Sequence, residues 1–379
     1  MTSVVAPFHE RRDAIQTHRE DFIFTNGSFV HSHRPGFRTV GKDIIDSAGK
    51  VFIPRGVNVG GTLANNGNGW PDWAYTKAYV NGMVAMGCNT VRLVTYVTDR
   101  NSWAVRAKAL IAGKTPAQAD AEVDALADQL TRYYLANGMV VMMEAHDLTS
   151  PGFSGGVVDQ VIAFWRRYAE RWQHDTRVWF NIANEPNMPT DPWKAFHERA
   201  CQTVRATGAR NIIVVDLLNY AADVGRDYAG NPQPYGYHPD MVPALIARHG
   251  DIIMSQHNYG TYGKYDTEAK IRGYITRVQQ ASIPLIYGEV GYPIASQSAY
   301  ANSGSYERER GGALDTFKAA PDYGVGVLWW ASNFNDNYKL VDVVQGQPLT
   351  NEFAPGATLN EAGLAFKQYV QACNALNQS

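Results

Sequence analysis

The strongest constraint on this chain is a succession of short, apolar, β-prone runs, each followed by a stretch of helical character: "VFIPRGVNV", "TVRLVTY", "MVVMMEAHD", "RVWFNIANE", "NIIVVDLL", "DIIMSQHNY", "PLIYGEVG" and "GVGVLWWAS". Strands apolar on both faces belong to a covered sheet, and intervening helices make such a sheet parallel. Eight repeats of this kind predict an α/β fold, the closed (β/α)₈ barrel, with an open doubly wound sheet as the alternative. No Gly-rich phosphate loop follows the first run, which argues against a dinucleotide-binding form of that alternative. The helical stretches are read at 74–86, 117–137, 157–174, 190–207, 240–249, 266–280, 304–319 and 360–377. Ahead of the barrel, "FIFTNGSFV" and "TVGKDIIDSAGKVFI" each carry a Gly-containing turn between β-prone segments and read as hairpins. Residues 1–20 are polar and expected to be poorly ordered. The remainder, 21–379, shows no composition shift or linker and reads as a single domain with an N-terminal hairpin extension.

Composition narrows the partners. A net charge of −2 and the lack of any Lys/Arg run offer no field for a polyanion, so nucleic acid is excluded as a partner. No segment approaches the apolar length of a membrane span, and the start of the chain lacks a signal-peptide pattern. The expectation is no membrane, a monomer, and a secreted or periplasmic location if a leader has been removed, with the cytoplasm left open. Cys88, Cys201 and Cys373 are an odd, scattered set that gives neither a disulfide framework nor a metal motif.

Active sites of such barrels form at the C-terminal ends of the strands. There the second run carries Arg92, the third ends in Glu144, His146 and Asp147, and the fourth in Asn184 and Glu185. The fifth ends in Asp216, the sixth in His257 and Tyr259, the seventh in Glu289, and the eighth in Trp329 and Trp330. Polar groups at one end of nearly every strand are hard to explain structurally, because an unpartnered buried carboxylate is costly. Two carboxylates with hydroxyl-reading neighbours, and no metal or cofactor, suit glycoside hydrolysis, in which one carboxyl donates a proton and the other acts ionised. Glu185 and Glu289 are placed to flank a bond across the barrel mouth, and Arg92 would hold one of them ionised.

Arg92, His146, Asn184-Glu185-Pro186, His257-x-Tyr259, Gly288-Glu289 and the eighth-strand Trp, in this order, resemble glycoside hydrolase family five, the retaining barrel family of cellulases and β-mannanases. The similarity covers about residues 45–335. It implies Glu185 as general acid/base and Glu289 as nucleophile. It further implies Asn184 on the sugar 2-hydroxyl, Arg92 and Tyr259 holding the nucleophile, and His257 orienting the acid/base. His146 would bond the sugar before the cleaved bond and Trp330 would stack beneath it. Adjacent strand residues face opposite ways, so only one of Trp329 and Trp330 should reach the site. "MEAHD" and "NIANE" look more like bacterial β-mannanases than cellulases. The implied activity is retaining, endo-acting hydrolysis of a neutral β-1,4-linked polysaccharide, β-mannan or glucomannan first, with β-1,4-glucan or another β-linked oligosaccharide as alternatives.

Trp70, Trp73, Trp103 and Trp193 lie on strand-to-helix segments and are candidate sugar platforms, with loop packing as the competing reading. Trp165 and Trp172, at helical spacing, read as core. The segment at 99–120 is long for a βα loop and is expected to form a lid or rim. Two other classes compete: a metal-dependent hydrolase using His146, Asp147, His257 and Glu289, and a non-catalytic glycan-binding barrel.

Overall fold

The computed structural model describes residues 22–25, 28–31, 36–59, 77–149, 155–227, 229–260, 264–293, 304–331, 338–341, 353 and 356–376. Two antiparallel hairpins come first, β1 (Phe22–Thr25) with β2 (Ser28–His31) and β3 (Arg38–Val40) with β4 (Asp43–Ile45). Eight parallel strands follow: β5 (Arg55–Val59), β6 (Thr90–Thr95), β7 (Val140–Ala145), β8 (Val178–Asn181), β9 (Ile213–Asp216), β10 (Ile252–Asn258), β11 (Leu285–Val290) and β12 (Gly326–Trp329). They pair in sequence order and β12 returns to β5, so the sheet is a closed barrel and the doubly wound alternative is set aside. Helices at Lys77–Met86, Pro116–Ala136, Gly155–Trp172, Thr190–Ala206, Val242–His249, Glu268–Gln280, Gly304–Ala319 and Glu361–Leu376 lie within a few residues of the positions read from sequence. The turn Asn26-Gly27 and the stretch 1–20 fall outside the described residues.

The period-two alternation of strands sorts the barrel into two cores. Outward residues such as Val91, Leu93, Val141, Met143 and Phe180 pack against the helices in one continuous apolar cluster, which includes the buried Trp165 and Trp172. Inward residues at the N-terminal end form a second, smaller cluster: Val140, Met142, Trp179, Ile212, Val214, Ile253, Ile286 and Leu328. The second hairpin closes this end. Phe37 and Phe52 meet edge to face at 4.9 Å between ring centres, and each meets Trp179 edge to face at 5.8 and 5.9 Å. Two residues further along the same inward rows the side chains become polar: Met142 gives way to Glu144, Trp179 to Asn181 and Val214 to Asp216. The barrel is therefore plugged with hydrocarbon below and lined with charge above.

The long segment after β6 is not an open loop. It contains a helix at Val105–Ile111, and the buried Arg106 ties both of its ends down, pairing with Asp99 at 2.6 Å and Asp120 at 2.7 Å. Thr115 and Gln118 form a reciprocal cap where the next helix begins.

Removing the Phe37 ring should open a void under the barrel without touching its mouth. Phe37→Ala is expected to lower the unfolding free energy by about 3 kcal/mol or more, measured by urea denaturation at unchanged m value, while kcat of the folded enzyme stays within about twofold of the parent.

Candidate active site

Arg92 stands on β6 at the boundary between the two regions and is wholly buried. Its guanidinium donates from Nε to Asn181 Oδ1 (2.8 Å), from Nη1 to Asn58 Oδ1 (2.8 Å) and Glu289 Oε1 (2.7 Å), and from Nη2 to Asn184 Oδ1 (2.7 Å) and Asp216 Oδ2 (3.3 Å). Glu144 Oε2 lies 3.9 Å from Nη2. Burial by itself would make this cation easier to discharge, but Glu144, Glu289 and Asp216 around it raise its pKa above the ordinary value.

Glu289 accepts from Arg92 and, at its other oxygen, from the Tyr259 hydroxyl at 2.7 Å. Its direction depends on a break in strand phase. On β11 the inward residue is Ile286, so simple alternation would turn Gly288 inward and Glu289 out toward the helices. The pairing with β10 slips at this point: Gln256 faces Tyr287 and His257 faces Glu289, so Gly288 is an extra, bulged residue that re-phases the strand. The bulge requires glycine, because a Cβ at 288 would lie 2.4 Å from Ser255 Oγ and 3.0 Å from His257 Nε2.

Glu185 follows β8 on a left-handed backbone (φ 42°), a conformation that costs energy for a non-glycine residue and clusters at functional sites. Its amide donates to Asp216 Oδ2 at 3.1 Å, and its Oε1 lies 2.8 Å from His257 Nδ1. An oxygen from each of Glu185 and Glu289, with a ring nitrogen of His257, lie within 4.8 Å of one another. Burial pushes Glu289 up to about 7 against the pull of Arg92, His146 and Tyr259. Glu185 is raised well above the carboxylate range by burial, with Glu289 and Asp216 adding to it. Both carboxyls are therefore drawn toward their protonated forms by burial, Arg92 opposing this in each, while burial, Arg92 and His146 hold His257 neutral.

His146 is oriented by Glu144, whose Oε1 lies 3.1 Å from Nδ1. Burial would favour the neutral ring, yet Glu144 raises its pKa. The Asn184 amide is engaged within the protein, its nitrogen donating to Thr149 Oγ1 at 2.9 Å and lying 3.4 Å from His146 Nε2. Trp330 stacks against His146 (6.1 Å, 18°), the Tyr96 ring centre lies 5.0 Å from that of His146, and Trp103 meets Tyr96 edge to face at 4.3 Å. These four rings make one wall that runs from the catalytic end out to the segment after β6.

Arg92, His146, Asn184, Glu185, His257, Tyr259, Glu289 and Trp330 therefore converge as the sequence suggested. Three sequence readings are corrected. Trp329 is fully buried, bonds the Tyr338 carbonyl and packs on Phe317 and Tyr292, because strand alternation turns it into the helix layer. Trp193 is equally buried, donating to the Asp216 carbonyl, and cannot stack on a sugar. Asp147, a ligand in the metal reading, spends both oxygens on Val97 N, Thr98 N and Thr98 Oγ1 and caps the chain leaving β6. Trp70 and Trp73 lie outside the described residues. Asn58 and Asn181 escaped the reading of strand ends, and Glu144 and Asp216 were noted there without a role. Their signal was parity, since Asn181 and Asp216 stand two residues beyond the inward Trp179 and Val214.

A family model described as "Cellulase (glycosyl hydrolase family 5)" matches residues 45–336. The chain belongs to glycosyl hydrolase family 5. It is a glycoside hydrolase, and the family's retaining, two-carboxylate mechanism fits the close pair at its centre. Among family 5 relatives, the mannan endo-1,4-β-mannosidase of Streptomyces lividans is 28% identical over 313 residues, 80% of this chain and 68% of that protein. That of Cellvibrio japonicus (strain Ueda107) is 25% identical over 317 residues, 82% of this chain and 62% of its own length. The chain thus spans roughly two thirds of the length of these curated relatives. In fold it is similar to the β-mannanase from Streptomyces thermolilacinus solved with mannohexaose, with a TM-score of 0.62 at 22% identity over 90% of this chain and 96% of that one.

If the bulge is what aims Glu289 and seats His257, Gly288→Ala should displace both. We expect kcat to fall by about tenfold or more with the far-UV circular dichroism unchanged, together with a stability loss of about 1–3 kcal/mol from overpacking. Wild-type kcat in a folded variant would show that the bulge does not set the geometry.

Proposed function

We propose that this family 5 enzyme is a retaining, endo-acting β-1,4-mannanase in which Glu185 is the general acid/base and Glu289 the nucleophile. The observation that carries the mechanism is the approach of a Glu185 oxygen and a Glu289 oxygen to within 4.8 Å, the close spacing of a retaining pair and not the wider one that seats a nucleophilic water beside the sugar. In the first step the Glu289 oxygen bonds the anomeric carbon, the glycosidic C–O bond breaks, and the leaving oxygen takes the Glu185 proton. In the second, Glu185 takes a proton from water as its oxygen attacks the anomeric carbon and Glu289 departs as carboxylate. Arg92 and Tyr259 match the charge on Glu289 in the free enzyme and receive it again at the end. His146, Asn184 and Trp330 surround the space a reacting sugar would occupy, with Trp330 as the platform.

Mannan as substrate is supported by the two mannosidase relatives and by the near-neutral chain, which suits an uncharged polymer better than a polyuronate. Glucan is the reading the same assays would expose. A polymer of this size is met outside the cytoplasmic membrane, which favours a secreted or periplasmic enzyme.

Product profiles on mannan, glucomannan and carboxymethyl-cellulose test the substrate: mixed oligosaccharides from mannan with a fast fall in viscosity are expected, and release of monosaccharide alone would remove endo action. Early NMR spectra should show the β-anomer first. Glu289→Gln should abolish the glycosyl-enzyme. Glu185→Ala should lose about 10²–10⁴-fold on the polymer but far less on a dinitrophenyl glycoside, whose leaving group needs no proton. Because Glu185 acts protonated, activity must fall as pH rises through its pKa. That limb should lie above the ordinary carboxylate range, the two limbs belonging to the coupled pair.

A further inference from the structure

His257 is the group closest to the proton of Glu185, and what lies behind it has no role in the scheme above. Asp216, at the end of β9, is buried and faces His257 from the side opposite Glu185: its Oδ2 is 3.3 Å from Nε2, while Nδ1 is 2.8 Å from Glu185 Oε1. The three groups form a chain of carboxyl, imidazole and carboxylate. Nε2 makes no hydrogen bond of good geometry among the described residues, and Asp216 Oδ2 is the carboxylate oxygen it approaches.

Resting on the assignment of Glu185 as proton donor, we propose that Asp216 is a positioning residue that selects the Nε2–H tautomer of His257 and leaves Nδ1 as a lone pair to accept from the Glu185 carboxyl. The argument begins with the charge on Asp216. Asn181 Nδ2 donates to its Oδ1 (2.9 Å), and the Glu185 amide (3.1 Å) and Arg92 Nη2 (3.3 Å) donate to its Oδ2. Donors converging from three residues fit the acceptor-only, ionised form. A neutral imidazole carries one proton. Placed on Nδ1, it would leave the Nε2 lone pair facing an anion at 3.3 Å. It would also point the N–H at Glu185 (2.8 Å) and Glu289 (3.5 Å) together, favouring the ionised form of both. An enzyme with both carboxylates ionised has no acid for the first step. Placed on Nε2, the proton faces Asp216, and Nδ1 favours a protonated Glu185.

The groups that bear on Glu185 all work with this device or are constant across it: His257 on β10, Glu289 on β11, Asp216 on β9, Glu144 on β7 and Arg92 on β6. Glu289, Asp216 and Glu144 raise its pKa as anions and Arg92 lowers it. In the second step the lone pair on Nδ1 offers the Glu185 carboxylate no hydrogen bond, which leaves it the stronger base toward water.

The tautomer can be read in the wild-type enzyme by ¹⁵N-histidine NMR, with the His257 signals assigned by their loss in His257→Asn. We expect a pyridine-type Nδ1 and a pyrrole-type Nε2 from about pH 5 to 8; the reverse pattern overturns the proposal whatever any variant does. Asp216→Asn removes the charge at nearly constant shape. The alkaline limb of kcat/KM should move down by about one pH unit, and neutral-pH kcat/KM on the polymer should fall by about tenfold or more. On the dinitrophenyl glycoside it should change by less than about threefold. A folded variant with an unmoved limb, or equal losses on both substrates, would mean that Asp216 is structural only. If that variant does not fold, the wild-type NMR still decides. A failure of the Glu185→Ala leaving-group test would instead bring down the acid assignment, so the two failures are distinct.

Discussion

A single buried cation organises this active site. Arg92 has no access to water and is ringed by Glu144, Asp216 and Glu289, with Asn58, Asn181 and Asn184 taking further donors. Removing a charge from water costs several kcal/mol, and the cost is met only when geometry and hydrogen bonds are nearly complete. The arrangement is consequently all or nothing. Each carboxylate is tolerable because the guanidinium is there, and the guanidinium because they are; loss of one partner leaves an uncompensated charge worth about 3–5 kcal/mol. The reason to keep so expensive an assembly is chemical, since the cation and the acidic groups fixed around it can give the nearby Glu185 and Glu289 carboxyls different surroundings.

The closed barrel makes the assembly possible. Its lower half is hydrocarbon, stoppered by Phe37 and Phe52 against Trp179, so the strands below the charges are held by packing that needs no solvent. Glu144, Asn181 and Asp216 sit one inward step above that plug. The strands deliver them as a ring because parallel strands end at the same face. At that face Glu185 on a left-handed backbone and the bulge at Gly288 both stand where a side chain must be re-aimed.

Each of the two histidines is backed by its own carboxylate, His146 by Glu144 and His257 by Asp216, and both carboxylates also lean on Arg92. The pairs differ in outcome. His146 Nδ1 faces Glu144, so that ring is drawn toward the charged form. His257 is held neutral by burial, Arg92 and His146. One ring sits at the wall shared with Tyr96 and Trp330, the other against the carboxyl of Glu185.

The order of strands and helices, the barrel and the identity of both catalytic candidates were legible in the sequence, because hydrophobic periodicity and the polar strand ends are local patterns. The Asn-Glu-Pro corner, the His-x-Tyr and the Gly-Glu announce themselves within a few residues. What the chain alone could not reveal is which way each side chain turns once strands are paired. Alternation sends Trp329 into the helix layer and Trp330 to the mouth, and a one-residue slip against β10 decides that Glu289 faces inward. Asn58 and Asn181 look like ordinary strand residues, and Glu144 and Asp216 are polar strand ends without a role, until closure brings β5, β7, β8 and β9 around Arg92. The segment after β6 likewise reads as a loop until Arg106 is seen to bind Asp99 and Asp120. Local pattern specifies what elements form; the groups that shift the titration of Glu185 and Glu289 stand tens to hundreds of residues away, and only closure of the barrel puts them within reach.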